Sequence, residues 1–245
     1  MVTLGCENVT FSNIKAIVFD KDGTLENSSD TLRELAIKRA RLIDAQIPGI
    51  GDPLLMAFGL LDNQLDSQGL MAVGSRQENL IAAAAYIAET GRAWPEAIAI
   101  AQSTFAQADD YLHNAPASPL FEGVRPTLER LQQADVQLAV LSASTNDAVQ
   151  KFIQAHQLEA VFPVALGHID DGLVKPDPAL FHKVCQQLQC APQDVVMVGD
   201  SGFDWQMARA AGAGGVVGIR WGNAALVPAG EVDVAIADLQ SLMVV

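Results

Sequence analysis

The sequence predicts an α/β fold: a parallel β-sheet flanked by helices and interrupted near its start by an all-helical insertion. Three observations carry this. Short apolar runs rich in β-branched residues recur at 14–19, 138–141, 162–166, 195–198 and 216–219, with a sixth at 234–236. Helical patterns alternate with these runs from about residue 120 onward, and such alternation implies parallel strands joined by right-handed crossovers. From residue 27 to 119 the alternation stops and only helical patterns are legible.

Taken in order, residues 14–19 form an unbroken apolar run that ends at a charged, glycine-containing turn. That is the pattern of a strand buried on both faces. In the insertion, residues 30–45 are amphipathic, Ser75 and Glu78 have capping-box spacing ahead of an apolar helix at 80–88, and Pro95 opens a further helix. Pro116, Pro119 and Gly123 mark the return to the sheet. Helices are then expected at 126–134 and 146–156, from Asp177 (N-cap) and Pro178 (first helical position), and at 203–211, closed by Gly212. The domains expected are a core of 1–26 plus 120–245 and a helical insertion of 27–119.

Composition narrows the function. The chain has 245 residues, half of them apolar, so a sizeable buried core is expected and disorder is not. There are 29 acidic and 15 basic residues, a formal charge of −14 with no basic run. Nucleic acid is therefore not an expected partner. The three cysteines, Cys6, Cys185 and Cys190, fit neither a disulfide framework nor a zinc pattern. The longest apolar run, at 80–88, has nine residues, whereas a membrane span needs about 20. The N-terminus has no basic, apolar leader pattern. A soluble, cytoplasmic protein with no membrane partner is expected; oligomeric state is not legible.

Sites in open parallel sheets form beyond the carboxyl ends of the strands, and four predicted strand ends carry polar residues. The first is Asp20-Lys21-Asp22-Gly23-Thr24. Residues two apart share a side in extended chain, so Asp20 and Asp22 are expected to enter one cleft while Lys21 points away. Two close carboxylates favour a bound cation or one retained proton. An EF-hand loop needs glycine at its sixth position, and here glycine is fourth. The second end, Ser142-Ala143-Ser144, offers a hydroxyl and N–H groups ahead of a helix, which is either a phosphate cradle or a simple cap. The third, Lys175-Pro176-Asp177-Pro178, offers a cation beside two prolines. The fourth, Gly199-Asp200-Ser201-Gly202-Phe203-Asp204, places Asp200 at a strand end like Asp20, with Asp204 one helical turn on. Asp204 there is either an orienting group for the site or only a cap of the following helix.

In that order and spacing the chain resembles the haloacid dehalogenase superfamily, and within it the phosphoglycolate-phosphatase-like members. The residues concerned are Asp20-x-Asp22-Gly-Thr, Ser142, Lys175-Pro and Gly199-Asp200-x-x-x-Asp204. The resemblance covers about 10–26 and 120–240 and implies a Rossmann-like core. Between Asp20 and Ser142 lie 121 residues, against 32 between Ser142 and Lys175, so the insertion matches the position of that superfamily's helical C1-type cap.

The resemblance implies a Mg2+-dependent phosphatase acting on a small phosphate monoester through an aspartyl-phosphate. Asp20 would be the nucleophile and Asp22, protonated at the start, the general acid and then base. Asp20, the Asp22 carbonyl and Asp200 would hold the metal. Ser142, Ala143 and Lys175 would hold the phosphate, and Asp204 would support Asp200 or Lys175, with Thr24 also behind the site. Two alternatives stay open: a sugar phosphomutase of β-phosphoglucomutase type and a non-catalytic binding protein on the same fold. Dehalogenation is disfavoured because Asp22 is present. The one lysine of the insertion, Lys38, lies beside Arg39 and Arg41 and reads as part of a solvated helical face rather than a Schiff base. Residues 27–118 carry 6 basic and 11 acidic groups, which favours a small phosphorylated metabolite over a heavily phosphorylated one. Arg76 is the candidate substrate contact in the insertion.

Overall fold

A computed structural model describes residues 1–113, 116–168 and 172–245, without side-chain description at 111–113. The chain divides into two compact units, 1–27 with 119–245 and 28–118.

The chain opens with two strands the sequence reading did not contain, β1 (Val2–Cys6) and β2 (Val9–Ile14), followed by β3 (Ala16–Phe19). The predicted strand at 14–19 is thus split, with Ile14 closing β2. The second unit follows: α1 (Ser29–Asp44), α2 (Gly51–Ala57), β4 (Leu60–Leu61), β5 (Gln64–Leu65), α3 (Leu70–Val73), α4 (Arg76–Glu89) and α5 (Trp94–His113). The chain returns through α6 (Val124–Gln133), β6 (Gln137–Thr145), α7 (Asn146–Ala155), β7 (Val164–His168), α8 (Pro178–Leu188), β8 (Val195–Gly199), α9 (Gly202–Ala210), β9 (Gly215–Ile219), β10 (Val234–Ile236) and β11 (Leu242–Val244).

The central sheet has six parallel strands in the order β10-β9-β8-β3-β6-β7. Alternate residues of its strands feed two separate cores. Ile17, Phe19, Leu138, Val140, Val196 and Val198 face the layer of α6 and α7, with Leu128, Leu131, Val149 and Phe152. Ala16, Val18, Ala139, Leu141, Val195 and Met197 face the layer of α8 and α9, with Phe181, Val184, Trp205 and Met207. Both faces are covered, which is why these strands read as continuous apolar runs. Cys6 belongs to the first core and Cys185 and Cys190 to the second; all three are free thiols. A small antiparallel sheet, β11-β1-β2, brings the two ends of the chain together.

In the second unit α1, α4 and α5 pack through small and aliphatic residues: Ala36, Ala40 and Ile43; Leu80, Ala83, Ala84 and Ile87; Ala97, Ala101 and Phe105. The Ser75–Glu78 capping box is present in full. The expectation of helices alone needs correction, because β4 and β5 form a hairpin. Its two turn residues, Asp62 and Asn63, have φ of 48° and 62°, the backbone of a type I′ turn that Asn and Asp tolerate. Two-residue strands carry no readable alternation, so only the turn could have announced them. No helix of the described residues is long and apolar enough to cross a membrane.

Candidate active site

Strand order places the site. From β3 the chain moves to β6 and β7 on one side, then returns to β8 on the other. The carboxyl end of β3 is therefore a topological switch point, where the connections diverge and leave a crevice. Register sets the level: Phe19 pairs with Val140 of β6 and with Val198 of β8. Asp20 follows Phe19, Ser142 lies two residues beyond Val140 and Asp200 two beyond Val198. The Asp20 N–H donates to the Val198 carbonyl at 2.9 Å, which ties the first strand end to the fourth.

Lys175 and Asp204 meet at Asp20. Lys175 Nζ donates to Asp20 Oδ1 at 2.6 Å and to Asp204 Oδ1 at 2.6 Å, and all three are buried. The other Asp204 oxygen accepts from the N–H and hydroxyl of Ser201, at 3.2 and 2.6 Å, in the capping box of α9. Asp204 therefore caps its helix and anchors Lys175 at once, so it is more than a cap. Gly199 makes room, since a Cβ there would lie 2.6 Å from the Asp204 side chain.

Asp200 closes the group. One carboxylate oxygen from each of Asp20, Asp200 and Asp204 lies within 4.8 Å of the others. Thr24 Oγ1 donates to Asp200 Oδ1 at 3.4 Å, and Arg220 Nη1 to Asp200 Oδ2 at 3.2 Å. Gly23 is required by its φ of 77° and by a Cβ position only 2.4 Å from Asp200 Oδ2.

Burial works against these carboxylates. It pushes Asp20 up to about 7, with Asp204 and Asp22 adding to the rise and Lys175 opposing it. Asp200 is raised well above the usual range by burial, Asp20 and Asp204, against Arg220 and Lys175. Lys175 loses to burial but gains more from Asp20 and Asp204, so it stays an ammonium. Such a surplus of buried negative charge suits a hard cation bound by oxygen. Both oxygens of Asp204 accept at 2.6 Å, whereas the donors to Asp200 stand at 3.4 and 3.2 Å and Lys175 takes one oxygen of Asp20, so Asp20 and Asp200 are the carboxylates better placed to meet a cation.

The remaining predicted residues fall on the other side of Asp20. Ser142 is inside β6, three residues before the true N-cap Thr145, whose hydroxyl accepts from Ala148 N–H. Ser142 thus lies ahead of the helix, as expected, but does not cap it. The β6–β7 register slips between Leu141 and Thr145, which takes Ser142, Ala143 and Ser144 out of the regular ladder. Ser142 Oγ lies 3.4 Å from Asp22 Oδ2, and Ser144 Oγ donates to the same oxygen at 2.8 Å.

Lys21 does not point away. It is buried and donates to Asp22 Oδ1 at 2.6 Å and to Glu26 Oε2 at 2.7 Å. The chain bends at 21 rather than continuing extended, so the two-apart rule stops applying after Asp20. Sequence reasoning also missed Arg220 and Ser144. Arg220 directly follows β9, so it was a fifth polar strand end; Ser144 lies two residues from Ser142. The Lys21–Glu26 pair has no sequence motif to announce it. Arg76, the substrate-contact candidate, is engaged inside the second unit, its Nε 2.7 Å from Asp109 Oδ2.

A family of haloacid dehalogenase-like hydrolases matches residues 14–212. The phosphoglycolate phosphatase of Pasteurella multocida is 30% identical over 225 residues, covering 90% of this chain and 92% of its own. The fold is shared with a predicted phosphoglycolate phosphatase from Haemophilus somnus, with TM-score 0.66, 24% identity and 89% and 90% of the two chains covered. It is also shared with a 2-haloacid dehalogenase from Pseudomonas syringae pv. Tomato, with TM-score 0.60, 22% identity and 92% and 95% covered. With the family matched over most of its length and the fold shared, the chain belongs to the haloacid dehalogenase-like hydrolases.

Proposed function

We propose that this protein is a Mg2+-dependent phosphatase that hydrolyses a small phosphate monoester through an aspartyl-phosphate on Asp20, with phosphoglycolate the first substrate to try. The observation that carries the reading is Asp20 itself: a buried carboxylate at the switch point, gripped at one oxygen by Lys175 and close to Asp200. The names of the relatives support the substrate class.

The side chains of Asp20 and Asp200, with the Asp22 carbonyl, would hold the ion. Bound there, Mg2+ supplies positive charge against the phosphoryl oxygens and keeps both carboxylates ionised. Asp20 attacks phosphorus, the ester P–O bond breaks, and Asp22 gives its proton to the departing oxygen. A water then attacks phosphorus and yields a proton to Asp22. The bond to Asp20 breaks, and inorganic phosphate leaves. Ser142, the Ala143 N–H and Lys175 hold the phosphoryl oxygens, and Asp204 holds Lys175. We read 28–118 as the family's cap, the part that sets substrate choice. The acidic balance of the chain fits a small metabolite rather than nucleic acid, and three buried free thiols fit a reducing cytoplasm.

The test is phosphate release from phosphoglycolate and from an aryl phosphate. Release that depends on Mg2+, and that drops by on the order of 10⁴-fold or more in Asp20→Asn, is expected. Turnover that survives either change would refute the mechanism. Transfer of phosphate to a second hydroxyl without net release would make the protein a mutase.

A further inference from the structure

We infer that Lys21, backed by Glu26, is a positioning residue that fixes which oxygen of Asp22 faces the end of β6 and is presented for the proton transfer. The inference rests on the acid/base reading of Asp22 given above.

The ammonium sits between two carboxylates, 2.6 Å from Asp22 Oδ1 and 2.7 Å from Glu26 Oε2. Lys21 and Glu26 are each only 5% exposed. A lysine at that depth is rare unless paired, and Phe152 lies over it, with the ring centroid 5.8 Å from Nζ. The socket is built into the backbone. The N–H groups of Leu25 and Glu26 both donate to the Lys21 carbonyl at 2.9 Å, and the Gly23 N–H donates to the Glu26 carbonyl at 3.0 Å. Glu26 is bridged to Asp22 on one side and to Leu120 on the other. The counter-charge behind Lys21 is thus held by the main chain, and the long lysine stem ends at a fixed point.

The consequence is an orientation. The terminal torsion of an aspartate is broad and two-fold, so the carboxyl group by itself turns easily. Here Oδ1 is pinned by the ammonium, and Oδ2 is turned toward the end of β6, with Ser144 Oγ at 2.8 Å and Ser142 Oγ at 3.4 Å. Oδ2 is therefore the oxygen presented on the side of Ser142, where the phosphoryl group is proposed to bind. The other two cations of the site have different partners: Lys175 grips Asp20 and Asp204, and Arg220 grips Asp200.

A series of phenyl, 4-nitrophenyl and 2,4-dinitrophenyl phosphates separates acid catalysis from general damage, because only poor leaving groups need a proton. In Lys21→Met, kcat/KM should fall on the order of 10²-fold for phenyl phosphate and less than about threefold for the dinitrophenyl ester. Asp22→Asn should show the same grading, and adding Lys21→Met to it should cost no more than about twofold further. An equal loss across the series, or no loss, overturns the inference. A graded Asp22→Asn with an ungraded Lys21→Met overturns the clamp and leaves the acid role standing. An ungraded Asp22→Asn removes the acid role and the clamp together. If Lys21→Met alone does not fold, Lys21→Met/Glu26→Gln leaves one buried charge fewer unmatched and is read through the same series with the same criteria.

Discussion

The α/β unit and the helical unit both bury ion pairs, but with opposite balance. Around the end of β3, the carboxylates of Asp20, Asp22, Glu26, Asp200 and Asp204 meet the cations Lys21, Lys175 and Arg220. In the helical unit Arg39 of α1 and Arg76 of α4 share Asp109 of α5, with the Arg39 guanidinium 4.0 Å over the Phe105 ring. Burial shifts both clusters toward neutrality, carboxylates upward in the first and Arg39 downward in the second, to about 10. At neutral pH Arg39 is still charged, with Nη2 on one oxygen of Asp109 and Arg76 on the other, while its Nε is buried without a hydrogen-bond partner among the described residues. Burial and neighbouring carboxylates raise Asp20 and Asp200, so the excess negative charge of the first cluster is offset by bound protons or by an added cation. The two clusters differ in the sign of their excess charge, carboxylates in the first and arginines in the second.

The sharpest way to break the comparison is to remove one cation from each cluster. Lys175→Met leaves Asp20 and Asp204 facing each other without their shared donor. A fall in kcat/KM on the order of 10³-fold is expected, with the loss of a charge-stabilising donor as its cause. A fall under about tenfold would mean that Lys175 is structural only.

Arg39→Met in the helical unit should do the reverse. Removing one partner of a buried pair costs about 3 kcal/mol, seen as a drop in the denaturation midpoint. Turnover of an aryl phosphate per folded molecule should stay within about threefold, as expected for a group far from the reacting atoms in role. Catalytic loss matching that of Lys175→Met would erase the distinction between the clusters.

The smallest effect sharpens the imbalance itself. Asp20 is raised in the folded state from 3.8 to about 7, so between those values the folded protein holds a proton that the unfolded chain has released. Metal-free stability should therefore fall as pH rises through that window. Mg2+ binding must displace the proton below it and need not above it. Millimolar Mg2+ should raise the melting temperature by a few degrees more at about pH 8 than at about pH 6. An equal or larger shift at the lower pH would show that Asp20 does not take part in binding the ion.

Much of this was legible because it is local. Val195 to Gly199 and Val234 to Ile236 could be read as strands from their apolar runs, and Asp177-Pro178 as a helix start from capping chemistry. The β11-β1-β2 sheet was not, since β1 alternates over five residues only and its partner β11 lies at the far end of the chain. Within the site, Asp20, Ser142, Lys175 and Asp200 were found because each stands at the end of an apolar run or beside prolines that mark a turn. Lys21 was misplaced because a rule for extended chain was carried one residue past the bend.

The sequence by itself determined the αβ alternation, the place of the helical insertion and the set of polar groups offered at the strand ends. Apolar periodicity and turn chemistry act over a few residues, so they can be read without a partner. Tertiary structure alone decided which charge meets which: Lys175 with Asp20 and Asp204, Arg220 with Asp200, Lys21 with Asp22 and Glu26. The first two pairings depend on a strand order that sets β3 between β6 and β8 in one register, and the third on a bend closed by its own main chain. Neither leaves a mark on the spacing of the residues it brings together.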